Sequence, residues 1–127
     1  TQEHIERGRK IIPIVSVQNR YSFADREWDY VVAYCERNGI AFLPWAPLGQ
    51  AKKSHAVVEK IAKGIGATRL QTALAWLLRR SKSILPIPGT SSPAHVEENI
   101  ASAGLELPDA AFRELSEVIP PPASLRG

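Results

Sequence analysis

Residues Ile84 to Asn99 read ILPIPGTSSPAHVEEN, and this stretch decides the fold. A short apolar run gives way to a turn of Pro, Gly, Thr and Ser, and a helix then opens. Ser92 stands where an N-cap belongs, Pro93 takes the first helical position, and Glu97 and Glu98 follow. Strand, turn and helix in that order are the repeating unit of a parallel sheet. The N–H groups at such a helix start are unpaired and carry the positive end of the helix dipole, so the turn could receive a phosphate. Any βα loop shares some of this chemistry, and both readings stand at this point.

Working outward, the same unit occurs twice more upstream. Ile11 to Val17 (IIPIVSV) is rich in β-branched residues, as suits a buried parallel strand, with Pro13 fitting only a strand's start. Thr1 to Lys10 before it reads as the end of a helix, with Ile5 its one large apolar residue. A helix is expected from Glu27 to Asn38. Trp28, Val31, Val32 and Cys35 recur there at helical spacing, Tyr34 lies among the outward positions, and Gly39 is the stop. Ile40 to Pro44 forms the second strand and turns through WAPLGQ (Trp45–Gln50). Ser54 is placed to cap the next helix, whose stripe is Val57, Val58, Ile61 and Ile65, closed by Gly64 and Gly66.

Thr68 with Gln71 predicts a capping box. The helix it opens turns Leu70, Ala73, Leu74, Leu77 and Leu78 inward and ends in Arg79, Arg80 and Lys82, which suit the negative end of the dipole. The third unit is strand Ser83 to Ile87 and helix Pro93 to Ala103, stopped by Gly104. A last helix from about Asp109 to Ile119 points Phe112, Leu115 and Val118 inward, and Pro120-Pro121-Pro122 ends it. The expected division is a folded unit, residues 1–119, and a Pro-rich tail, residues 120–127.

Three consecutive strand–helix units make an α/β fold, as a slice of a closed (β/α)8 barrel or as a small open sheet. A complete barrel takes about 250 residues, roughly twice this chain. Three short strands cannot close, and the outer two would carry unpaired edges.

Composition narrows the function classes. The 127 residues carry a net charge of +3, with basic residues scattered rather than massed and no aromatic–basic stripe, which argues against nucleic-acid binding. A single cysteine, Cys35, excludes an intramolecular disulfide and suits a reducing compartment, and its apolar helix face makes it a packed residue. No run approaches the 18–20 apolar residues of a membrane span, and no signal peptide precedes the first helix, so the expected location is cytoplasmic. His4, His55 and His95 are isolated, and no spacing suggests metal ligation. There is no Gly-x-Ser-x-Gly elbow, Walker A loop or Cys–His pair.

Four segments taken together, VQNRYS (Val17–Ser22), GIAFLPWAPLGQ (Gly39–Gln50), TALAWLLRRS (Thr72–Ser81) and ILPIPGTSSPAHVEENI (Ile84–Ile100), resemble the C-terminal half of an aldo-keto reductase. The resemblance runs through essentially the whole chain. It implies part of a TIM barrel, the (β/α)8 fold, that binds NADPH, in some members NADH, across its strand ends and reduces an aldehyde or ketone to an alcohol.

By position, Gln18 matches the glutamine that holds the nicotinamide carboxamide, a task for an amide that donates and accepts at once. Trp45 matches the Tyr or Trp on whose face the nicotinamide stacks. Ala46, Leu48, Gly49 and Gln50 match the loop along the pyrophosphate, where backbone N–H groups make the contacts and Gly49 allows close approach. Gly89, Thr90 and Ser91 match the turn that receives the adenosine 2′-phosphate, and Glu98 and Asn99 the pair on the adenine.

Two departures weaken the preference for NADPH over NADH. Many members have lysine where this chain has Gly89 and arginine where it has His95, and both basic groups meet the 2′-phosphate. Thr90, Ser91, Ser92 and the helix start remain to bind it, and some NADP-linked relatives share this PGT-S pattern.

The larger departure concerns chemistry. The family's catalytic Asp, Tyr, Lys and His lie on the barrel's first four strands, which this chain does not contain. Tyr21, in the loop after a strand, and Tyr34 cannot replace the tyrosine. The expectation is thus a part of an enzyme that supplies cofactor binding and is inactive alone. A non-catalytic NADPH-binding module, such as the regulatory subunits among the family's relatives, is the alternative. So is a half-barrel that self-associates through the edges at Ile11–Val17 and Ser83–Ile87. Substrate is not legible; Arg20, Phe23, Trp28 and the tail after Pro120 could contribute to its pocket.

Overall fold

The computed structural model describes residues 1–49 and 52–123, and Gln50 of the expected pyrophosphate loop lies outside the described residues. In chain order the elements are α1 (Gln2–Arg9), β1 (Ser16–Arg20), α2 (Asp29–Asn38), β2 (Ala41–Trp45) and α3 (Lys52–Ile65). There follow α4 (Arg69–Arg80), α5 (Pro93–Ala101), a 3₁₀ turn (Ser102–Gly104) and α6 (Asp109–Val118). Among the described residues no helix is long and apolar enough to cross a membrane.

β1 and β2 pair in parallel, Ser16 opposite Ala41 through Arg20 opposite Trp45. Register partners project from the same face of a sheet. Val17 and Phe42, with Asn19 and Pro44, turn toward the helices, and Phe42 and Pro44 are buried. Ser16, Gln18, Arg20, Leu43 and Trp45 form the other face, which is open or half-open.

The first strand lies further along than expected. Ile11 and Ile12 both donate their N–H to the Gly8 carbonyl, at 2.9 and 3.0 Å, so they complete the turn that leaves α1. Pro13 has no N–H to extend a ladder backward. Ile11 is 84% exposed instead of buried in a strand.

The third strand reduces to one parallel bridge between Phe42 and Ile84. Phe42 donates to the Ser83 carbonyl and accepts from the Leu85 N–H, each at 2.8 Å. The next donor on β2 would be residue 44, a proline, so the bond that would carry the ladder on to the Leu85 carbonyl cannot form. The ladder therefore stops after one rung.

The core gathers Tyr21, Phe23, Val31, Val32, Cys35, Phe42, Val58, Ala73, Leu74, Trp76, Leu77 and Leu115, all essentially inaccessible. Trp76 is its centre, tilted against Tyr21, edge-on to Phe23 and stacked on Phe112 at 6.0 Å between ring centres. Its indole N–H donates to Ser116 Oγ at 3.0 Å. The face of α4 differs accordingly from the expected one: Trp76 turns in and Leu78 is exposed.

Helix ends follow their chemistry in part. The Thr68–Gln71 capping box forms in both directions. Gly39 ends α2 at φ +64°, a conformation open to glycine. α2 starts at Asp29, two residues later than expected, and its Tyr34 is buried, not outward. Ser54 is not a cap, because α3 already runs from Lys52 and Ser54 is buried inside it. α5 ends at Ala101 and tightens into the 3₁₀ turn, while α6 ends at Val118.

Candidate functional site

Because the strands are parallel, their C-terminal ends share one end of the sheet. Arg20 and Trp45 are the last residues of β1 and β2 and stand opposite each other. Gln18 lies two residues back on the same face and is exposed. Trp45 is 46% exposed, whereas Trp76, Tyr21, Phe23 and Phe42 are buried.

The chain then turns sharply. Ala46 takes φ +55°, a left-handed conformation uncommon for a residue with a Cβ, and Gly49 donates to the Ala46 carbonyl at 3.0 Å. Leu48 packs against the core. Gly49 itself is at φ +63°, and a Cβ there would stand 2.6 Å from the Ala24 Cβ and 3.1 Å from Ser22 Oγ. The turn after β2 thus leans directly on the turn after β1.

That first turn is anchored from below. Ser22 and Asp25 exchange backbone hydrogen bonds, and the Ser22 hydroxyl accepts from the Ala24 N–H. Tyr21 is fully buried and donates its hydroxyl to Asp29 Oδ1 at 2.5 Å. Asp29 also accepts from Arg26 Nε at 2.8 Å and from Arg80 Nη2 at 2.8 Å. Arg26 lies 5.1 Å over the Trp76 ring and donates to the Ser116 carbonyl. Burial works to raise the Asp29 carboxyl, but hydrogen bonds from Arg80 and Tyr21 and the two guanidinium charges outweigh it and hold it low. Burial, opposed in part by Arg26 and Arg80, pushes the Tyr21 hydroxyl far above its ordinary value. Phe23, expected near a substrate pocket, is fully buried, and Trp28 is half-buried against Tyr30.

The second set of candidates follows the Ile84 bridge out of the same end of the sheet. Gly89, Thr90 and Ser91 are exposed, and Thr90 Oγ1 accepts from the Ser92 N–H at 3.1 Å. Ser92 sits at the N-cap of α5, but its side chain makes no capping hydrogen bond, against expectation. His95 and Glu98 are exposed, and the Glu98 carbonyl accepts from Gln71 Nε2 at 3.0 Å. Asn99 Oδ1 is buried with no hydrogen-bond partner among the described residues.

Sequence reasoning did not find the clamp on the first turn. Arg26 and Asp29 share one segment while Arg80 lies some fifty residues on, and only RYSFADREWD (Arg20–Asp29) carries a trace of the clamp, as closely spaced opposite charges.

The architecture is that of a parallel α/β protein, and the solved structures it matches place it in the (β/α)8 barrel. A thermostable aldo-keto reductase solved with the inhibitor epalrestat superposes with a TM-score of 0.79 at 30% identity, over 92% of this chain and 43% of that one. The aldo/keto reductase of Klebsiella pneumoniae in complex with NADP and acetate gives 0.75 at 27% identity, over 86% and 41%. The aldo/keto reductase family model matches residues 1–120, and the chain belongs to that family of oxidoreductases. It is 41% identical to pyridoxine 4-dehydrogenase of Escherichia coli, over 93% of this chain and 42% of the relative. With an oxidoreductase of Schizosaccharomyces pombe it shares 40% identity, over 92% and 39%. The chain spans about two fifths of the length of these curated relatives.

Proposed function

We propose that this chain is the dinucleotide-binding part of an NADPH-dependent carbonyl reductase. The observation that carries the reading is Trp45: a half-exposed indole at a strand end, beside exposed Gln18, in a chain whose other strand-end aromatics are buried. Solved relatives in complex with NADP or NADPH support the choice of cofactor.

Each residue then has a physical task. Trp45 offers a flat apolar face for the nicotinamide, and Gln18 can both donate to and accept from its carboxamide. Gly49, where a Cβ would strike Ala24, lets the turn after β2 settle on the turn after β1 and so sets the backbone along which the pyrophosphate would lie. Thr90, Ser91 and the start of α5, whose N–H groups Ser92 leaves uncapped, suit the 2′-phosphate, with His95 beside them. Glu98, exposed on α5, can accept from the adenine amino group, with Asn99 next to it. When bound, the dihydronicotinamide supplies the hydride.

The proton comes from elsewhere in this reading. The Tyr21 hydroxyl is buried and committed to Asp29, and the Tyr34 hydroxyl accepts from Arg9 of α1. The chain alone is therefore expected to bind NADPH without oxidising it in the presence of aldehydes or ketones.

Fluorescence titration with NADPH, and NADH alongside, tests this. Saturable binding weakened at least tenfold in Trp45→Ala supports it; absence of binding by a folded chain overturns it. A second reading, self-association, is favoured by Val15, Leu85 and Ile87, large apolar residues exposed along the sheet's margins. Light scattering that finds only monomer at high concentration would remove it.

A further inference from the structure

The open sheet face carries one charged residue, Arg20, among Ser16, Gln18, Ala41, Leu43 and Trp45. We propose that Arg20 determines substrate specificity, presenting its terminal N–H groups to the carboxylate of a carbonyl substrate held beside Trp45. This rests on the reading that Trp45 receives the nicotinamide.

Three observations carry it. First, Arg20 is the register partner of Trp45, and its guanidinium carbon lies 6.0 Å from the indole centre. A group reacting over that indole is within reach of the same guanidinium. Second, Arg20 is held in place through one nitrogen only: Nε donates to Asp25 Oδ2 at 2.6 Å. Among the described residues Nη1 and Nη2 have no hydrogen-bond partner. The outer edge of a guanidinium is the edge that takes a carboxylate through two parallel N–H bonds.

Third, exposure divides the pair unequally. The Arg20 side chain is 44% exposed and that of Asp25 17%, so the cation faces the opening and the acid stands behind it. As a surface ion pair it contributes little to folding. Its effect is to remove the rotamer freedom that a free arginine would lose on binding an anion. The other arginines of this region, Arg26 and Arg80, are both turned onto Asp29, so among the described side chains Arg20 is the arginine left available at the strand ends.

The experiment compares 4-acetylbenzoate with acetophenone, two ketones that differ by a carboxylate, on the wild-type chain and on Arg20→Gln and Arg20→Lys. Binding is read from Trp45 emission, with Trp45→Phe identifying that signal, in the absence and presence of NADPH. The expected result is a preference for 4-acetylbenzoate of about fivefold or more in the wild type, lost in Arg20→Gln and partly kept in Arg20→Lys. Equal binding of the two ketones, no binding of 4-acetylbenzoate, or a preference that survives in Arg20→Gln overturns the proposal. So does tighter NADPH binding by Arg20→Gln, which would mean that Arg20 covers the indole instead of serving the substrate. A carboxylate preference without any NADPH binding would leave Arg20 standing and remove the cofactor reading.

Discussion

Arg80, at the end of α4, grips both carboxylate oxygens of Asp29, at the start of α2, through Nη2 at 2.8 Å and Nε at 3.2 Å. Arg26 and Tyr21 close on the same carboxylate. One acid thereby fixes the turn after β1 to two helices. Asp29→Asn leaves two guanidinium groups, Arg26 buried and Arg80 largely so, without their anion, and should destabilise the chain by about 3 kcal/mol in urea unfolding.

The same carboxyl predicts an acid limb. Its pKa is lowered in the folded state, so its contribution is complete well above the unfolded carboxylate value of about 3.9 and is lost as pH falls through the depressed folded value. The gap in Tm between wild type and Asp29→Asn should be constant near neutrality and narrow below about pH 4. A gap independent of pH would contradict the lowered pKa.

Gly49→Ala is expected to be costly out of proportion to one methyl group. It adds a Cβ 2.6 Å from that of Ala24 at a backbone φ of +63°. Overpacking and the left-handed conformation together should cost about 2–4 kcal/mol in thermal or urea unfolding. Ala24→Gly in the same chain removes the clash but not the strain, and should restore part of the loss.

Trp76→Ala should cost about 3–5 kcal/mol, enough to unfold much of the population, since the ring is packed against Tyr21, Phe23 and Phe112. Trp76→Phe keeps an aromatic ring, loses the indole hydrogen bond to Ser116 Oγ while that hydroxyl still donates to the Phe112 carbonyl, and should cost less. Near-UV circular dichroism and urea midpoints measure both.

Cys35 is inaccessible, and burial pushes its thiol above the ordinary value. It should react with a disulfide reagent only at the rate of unfolding, and at once in 6 M guanidinium. Rapid labelling of the folded chain would show that α2 opens locally.

What the sequence made legible was periodic or local. The stripe of Val58 and Ile61, the Thr68–Gln71 box and the stop at Gly39 each depend on residues within one turn, and each stands where it was expected. The strands were less legible, because β-branched content does not say where a ladder has donors. Ile11 and Ile12 looked like strand and finish a helix, while Pro44, inside β2, cuts the third strand to one rung. Tyr34 and Trp76 escaped the pattern because helices packed on more than one side bury more than one stripe. Of the candidate site, Trp45 and Gln18 are named by the resemblance alone. The placement of Arg20 against Asp25 and Trp45 could not be found that way, since it depends on the register of two strands.

α5 has no buried residue. A helix that puts nothing into the core gains little from the cooperative collapse of the rest, so its opening free energy lies near the low end of the molecule's range. Whatever docks against it changes that figure directly, by RT ln(1 + [L]/Kd) when only the closed helix binds. Its amide protons are therefore built-in reporters: the rate at which they exchange with solvent measures how firmly the segment is held and by how much a bound molecule has tightened it.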